Sequence, residues 1–353
     1  MSPSERSDAD DRDLPGARID WSLAAGVGRR LTRPGPRTTT YTLTTARDEL
    51  ATLAARAEGP VRETTGLADG LPVPAASVLD RPEWIDAAAR SMSAMLGGGA
   101  SASPGMAGRV GGVQAGGLLA LLSGAILGQY DPFTPDPATG TDGVLMLVTP
   151  NIIAVERSLK VVPSDFRYWV CLHEVTHRVQ FSATPWLRDY MLENIATIST
   201  ENDESGAELA ARVVGVLRSD KPREKGVLGA MQLLQTPEQY ESFTRLMMLG
   251  TLLEGHADHV MDAVGPSHVP TVDRIRSAFD ERRQRKQSPM QRVLRALIGM
   301  DAKLAQYIRG KAFVDEVVGT VGMARFNAVW SGPETLPRPA EIDSPRLWVD
   351  RVL

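Results

Sequence analysis

Apolar positions recur at helical spacing along most of the chain, interrupted by short clusters of Gly, Pro, Asn and Ser. Two such patterns, Trp21 to Leu31 and Thr44 to Ala57, are separated by the turn-rich RPGPRTTT. A further helix is expected from Pro82 to Leu96, since Pro82 suits a first turn and Trp84, Ile85, Ala88 and Met92 approximate helical spacing. Residues 97–117 are rich in glycine but lack the GKS or GKT of a phosphate-cradling loop, so they read as a loop running into a packed helix. The segment GVLMLVTPNI, 143–152, is the best strand candidate, being short, apolar, rich in β-formers and closed by Pro150 and Asn151. The expected class is mainly α (α+β). A polar tail over 1–18 precedes one domain over 19–353, divisible into a helical part 19–140 and a second part 141–353.

Within one helical pattern, Phe166 to Ser182 contains no Gly or Pro, and Pro185 marks its end. It carries His173-Glu174-Val175-Thr176-His177, an HExxH sequence. At about 100° per residue the two imidazoles fall ~40° apart on one face, one turn apart, with Glu174 alongside. Both rings can then meet one zinc ion while the carboxylate reaches a water on it without being a ligand.

A third ligand is expected from LLEGHADHVMDAVG, residues 252–265. Phe243, Met247, Gly250, Glu254, Ala257, Met261 and Val264 recur at steps of three or four and form one apolar stripe. A carboxylate inside such a stripe is costly unless a cation receives it, so Glu254 is the leading choice. His259, turned about 140° from Glu254, is the alternative, and His256 points about 160° away. Gly250 and Ala257 would admit a close helix. Asp258, four residues beyond Glu254, could accept the free ring N–H of a zinc-bound histidine.

Composition narrows the setting. The formal net charge of −4 over 353 residues gives no electrostatic case for nucleic acid or an anionic membrane as main partner. The single cysteine, Cys171, excludes an intramolecular disulfide, and the first residues lack a signal-like apolar run, so the cytoplasm is the expected compartment. Cys171 is expected to be a core thiol. The polar stretch 200–225 reads as a surface excursion, and the basic run 281–289 as a solvated helix end.

At HEVTHRVQF with PWL, EGHADHVMD, AKLAQYIRGKAF and FNAVW, the sequence resembles an actinobacterial zincin-like family of metallopeptidases or hydrolases, often labelled as associated with biosynthesis of a deazaflavin coenzyme. GQYDPF, LMLVTPNI and the closing Pro345 to Arg351 extend the likeness from about Ile19 to the C-terminus. The resemblance implies His173 and His177 as zinc ligands and Glu174 as catalytic base. A gluzincin-like site would add Glu254 as ligand and Asp258 behind it, although roughly seventy residues between His177 and Glu254 exceed the usual spacing. The expected activity is zinc-dependent cleavage of a peptide or amide bond, with a zinc amidohydrolase on a small metabolite and a non-catalytic zinc-stabilised scaffold as alternatives. Tyr307 is the first choice to stabilise the oxyanion, followed by His259, His256 and Arg178. Val144 to Val148 would serve as the edge strand for an extended substrate, with Tyr130 and Asp131 bordering the cleft.

Overall fold

The computed structural model describes residues 19–96, 105–136, 140, 142–199, 235–284 and 300–353, with the side chains at 142, 280, 282–284 and 300–308 outside that description. The tail 1–18, the excursion 200–225 and most of the basic run 281–289 fall outside it as well.

The molecule is mainly helical around a small sheet. In chain order come α1 (Trp21–Leu31), α2 (Thr40–Thr65), β1 (Ser77–Leu79), α3 (Arg81–Met95), α4 (Met106–Leu122), β2 (Gly128–Pro135), β3 (Asp142–Val148), α5 (Thr149–Leu159), α6 (Pro163–Ala183) and α7 (Trp186–Ser199). Beyond these lie α8 (Pro237–Val264), α9 (Val272–Gln284), α10 (Met300–Val321), α11 (Met323–Phe326), α12 (Pro339–Asp343) and α13 (Pro345–Val352). Among the described residues no helix is long and apolar enough to cross a membrane.

The sheet order is β1-β3-β2, with β1 parallel and β2 antiparallel to β3. Val144 to Val148 therefore form the central strand, paired on both sides, and are not the edge strand expected of them; β1 and β2 are the edges. GQYDPF begins β2, with Gly128 opposite Leu147 and Tyr130 opposite Leu145. The strand expected over 143–152 stops at Val148, because Pro150 takes a first-turn position and opens α5.

Alternation along β3 separates two layers. Leu145 and Leu147 join α2, α6 and the C-terminal half of α8 in one core, whereas Met146 and Val148 pack with Trp84, Ile85 and Leu119 in another. A third cluster gathers Leu249, Leu252 and Leu253 of α8 with Phe313, Phe326 and Trp348. The helix α8 thus spans two cores. It begins with a Thr236–Gln239 capping box and Pro237, and ends at Gly265.

Two helices are longer than their local sequence suggests. The helix α2 continues through Gly59 and Pro60 to Thr65, with Val61 and Thr65 buried, so packing outweighs a local cost of about 3 kcal/mol for proline. The helix α4 occupies much of the expected glycine loop, because Gly112 and Gly116 lie against the backbone oxygens of Asp20 and Ala24 in α1.

Arg178, on α6, donates from Nε to Glu58 Oε1 at 2.7 Å and from Nη1 to the Pro74 carbonyl at 2.6 Å. Glu58 also accepts from Arg62 Nε at 2.6 Å. The side chains of Arg178 and Glu58 are 4% and 5% exposed. Glu58→Leu leaves a buried guanidinium without its counter-charge, so unfolding in urea should show a loss of ~3–5 kcal/mol. A loss below about 1 kcal/mol would mean that the pair contributes no more than a surface ion pair.

Candidate metal centre

The body of α6 is shaped to present its metal-facing side. Pro163 and Asp165 occupy the first turn, no Gly or Pro interrupts the helix, and Thr184 leaves helical geometry ahead of Pro185. Opposite stands α8, whose approach to α10 depends on glycine. A Cβ on Gly255 would lie 2.3 Å from the Gly310 carbonyl carbon, and one on Gly310 would lie 2.2 Å from the Thr251 carbonyl oxygen. The close approach expected at Gly250 is seen at Gly255, since among the described residues nothing lies within 4 Å of a Cβ at Gly250.

Three side chains meet between α6 and α8. His173 Nε2 and His177 Nε2 are 3.2 Å apart, and Glu254 Oε2 lies 3.3 Å from the first and 3.8 Å from the second. Among the described residues these form the one cluster of three His, Cys, Asp or Glu suited to a metal ion, with ligand atoms all within 4.8 Å of one another. Two imidazole nitrogens and one carboxylate oxygen suit a borderline-soft divalent ion. Partial exposure, 21% for His173, 13% for His177 and 28% for Glu254, leaves a way in.

The electrostatics fit a cation-binding cluster. Burial disfavours the imidazolium of His173, but the adjoining Glu254 carboxylate outweighs it, with Glu174 and Asp258 adding to the effect, and raises the pKa to about 9. Burial likewise works against ionising Glu254, yet the two adjoining imidazoles, at 3.3 Å and 3.8 Å, hold its carboxyl well below the usual range.

Glu174 belongs to the site without joining the triplet. Its side chain is buried, and the loss of water raises its pKa, with the two neighbouring histidines pulling the other way. The first residue of β2 lies directly against it. A Cβ at Gly128 would fall 2.6 Å from Glu174 Cγ and 2.8 Å from Oε1, so only glycine leaves the carboxylate its place.

The supporting residues differ from those expected. His173 Nδ1 faces Met261 Sδ at 3.1 Å. Asp258, expected to accept from a ligand histidine, instead faces Arg276 at 3.5 Å, because that guanidinium also holds Asp262 and the Asp258 carbonyl. His177 Nδ1 meets Gln180 Oε1 at 2.9 Å, and Gln180 Nε2 lies 2.9 Å from both the Leu253 carbonyl and His256 Nδ1. Gln180, Met261 and Gly128 carry no motif of their own, although Gln180 follows His177 by a helical turn.

The other described candidates have surroundings of their own. His259 Nδ1 pairs with Asp315 Oδ1 at 2.7 Å on the other side of α8. His256 is fully buried against Phe326 and Trp330, and burial lowers its pKa to about 3. Arg178 is committed to Glu58, so it does not serve an oxyanion. Tyr307 lies on α10, but its side chain is outside the described residues. Tyr130 packs against Phe181 with ring centres 5.6 Å apart and planes tilted by 36°, and buried Asp131 accepts from the Phe133 backbone at 2.9 Å. Cys171 is fully buried and its pKa is pushed up by burial, as fits a core thiol.

A crystal structure from Chloroflexus aurantiacus, described as "a putative hydrolase with a novel fold", is similar at 30% sequence identity and a TM-score of 0.65, over 94% of this chain and 98% of that one. No curated protein matches the chain. The zincin-like metallopeptidase family matches it over residues 19–349. The chain therefore belongs to the zincin-like metallopeptidase family.

Proposed function

We propose that this protein is a cytoplasmic zinc-dependent hydrolase that cleaves a peptide or small amide bond, acting on neither nucleic acid nor membrane. The observation that carries this reading is the convergence of His173, His177 and Glu254 beside a buried carboxylate that is not one of the three. Those three residues would hold zinc, which when bound supplies an acidified water and a polarised carbonyl. Three protein ligands leave a position for chemistry, whereas structural zinc sites usually close with four.

Glu174 does the proton work in this scheme. Its carboxylate takes the proton of the attacking water and returns it to the leaving nitrogen. Burial raises its proton affinity towards what such a shuttle needs, and Gly128 keeps it in place. Gly128→Ala should shift the carboxylate, and a displacement of about 1 Å can cost ~100-fold in rate. Zinc content should stay at the wild-type level. Full activity in this variant would show that the contact with β2 does not set the position of the base.

The test is zinc titration of the metal-free protein, followed by assay against a peptide library and cell metabolites. One zinc per chain should bind. Because His173 has a pKa of about 9, it is protonated at neutral pH and must lose its proton to become a ligand. Uptake should therefore release protons at pH 7.5, and the release should decline as pH rises through about 9. Absence of zinc binding would end the proposal, and products only from metabolites would move the substrate from peptides to small amides.

A further inference from the structure

We propose that Gln180 is a positioning residue that fixes the tautomer of His177 and that takes its own orientation from the backbone carbonyl of Leu253. The inference rests on the zinc reading only for its consequence, since the tautomer itself is a property of the metal-free protein.

The argument is one of donors and acceptors. The Gln180 side chain is fully buried and touches three groups, His177 Nδ1, the Leu253 carbonyl and His256 Nδ1, each at 2.9 Å. A backbone carbonyl can only accept, so the side-chain atom facing Leu253 must be the NH₂ group. The amide oxygen then faces His177 and can only accept there. His177 must carry its proton on Nδ1, which leaves the Nε2 lone pair free on the side of the triplet, 3.2 Å from His173 Nε2. A flipped amide would set two oxygens against each other at Leu253 and put the proton of His177 on the nitrogen that a metal needs.

The same logic continues one residue further. The second NH₂ hydrogen of Gln180 points at His256 Nδ1, which must therefore accept, so that ring carries its proton on Nε2. His256 Nε2 has no hydrogen-bond partner among the described residues and lies among the rings of Phe326 and Trp330. Gln180 thereby ties the histidine-bearing helix α6 to α8 at the residues flanking Glu254. One amide both selects the tautomer of a ligand and joins the two helices that supply the ligand set.

The experiment uses full-length protein with ¹⁵N-labelled histidine. Long-range ¹H–¹⁵N correlation spectra are recorded without metal in solution alkaline enough to pass the His173 pKa of about 9, and single His→Gln variants assign the signals. Wild-type protein should show His177 protonated on Nδ1 and His256 on Nε2. Gln180→Met should lose the single tautomer of His177 and weaken zinc by ~10- to 100-fold in chelator competition, the usual range for such partners. His256→Phe should keep the His177 tautomer and hold zinc affinity within about threefold, because the Leu253 carbonyl alone still orients the amide.

Protonation of wild-type His177 on Nε2 would overturn the proposal, and that measurement needs no variant to fold. An unchanged His177 tautomer in folded Gln180→Met would overturn it as well, leaving Gln180 a packing residue. Loss of the tautomer in His256→Phe would remove the anchoring role of Leu253. A protein that showed the expected tautomers but bound no zinc would contradict the metal reading and not this one.

Discussion

Glu174→Gln is expected to retain one zinc per chain and a native fold while hydrolysis falls by at least ~100-fold, as when a general acid–base group is removed. The geometry separates the two properties. The metal triplet is complete without Glu174, so the substitution leaves every proposed ligand in place. Glutamine has nearly the same shape and fits the space that Gly128 leaves, but it can neither take the proton of a water nor give one to a leaving nitrogen. Zinc content, circular dichroism and turnover on the best substrate from the screen are the readouts. Loss of zinc with activity would place the carboxylate among the ligands and remove its role as base. Identical product profiles for wild type and variant would point to a zinc-stabilised scaffold.

Removing the third carboxylate should have the other large effect. Glu254→Ala is expected to come through dialysis without stoichiometric zinc, because its Oε2 closes the triplet against both imidazoles, 3.3 Å and 3.8 Å away. Two imidazoles would remain, less than the three protein ligands of a catalytic zinc site. His259→Ala provides the control from the same helix. That ring is paired with Asp315 at 2.7 Å, so its loss should leave zinc content unchanged. The reverse pattern, zinc kept without Glu254 and lost without His259, would exchange their roles.

The placement of the triplet was legible because periodicity carries it. HExxH sets two side chains on one face of a helix, and the stripe from Phe243 to Val264 sets Glu254 on one face of another. What could not be read locally depends on contacts between elements. The helix α4 is dense in glycine, each residue costing about 1 kcal/mol against alanine, and at Gly112 and Gly116 the backbone oxygens of Asp20 and Ala24 explain it. The strand β2 contains two prolines and few β-formers, and its identity comes from pairing with β3. Asp258 was read as a partner for a ligand histidine because angular position ignores Arg276, which arrives from α9 and binds it. Gln180 lay in view beside HExxH, but its meaning depends on the Leu253 carbonyl across the helix interface.

The division of the triplet between α6 and α8 also gives metal loading an order in time. A chain synthesised only as far as α6 holds two imidazoles and no third ligand, and roughly seventy residues must follow before Glu254 exists. Closing a loop of that length is entropically unfavourable until the cores around α8 have formed. If zinc binds as proposed, tight capture therefore waits until α8 has docked against α6. Occupancy then becomes a record of completed folding, and excess ion at about 100 times its dissociation constant would stabilise the finished state by ~2.7 kcal/mol.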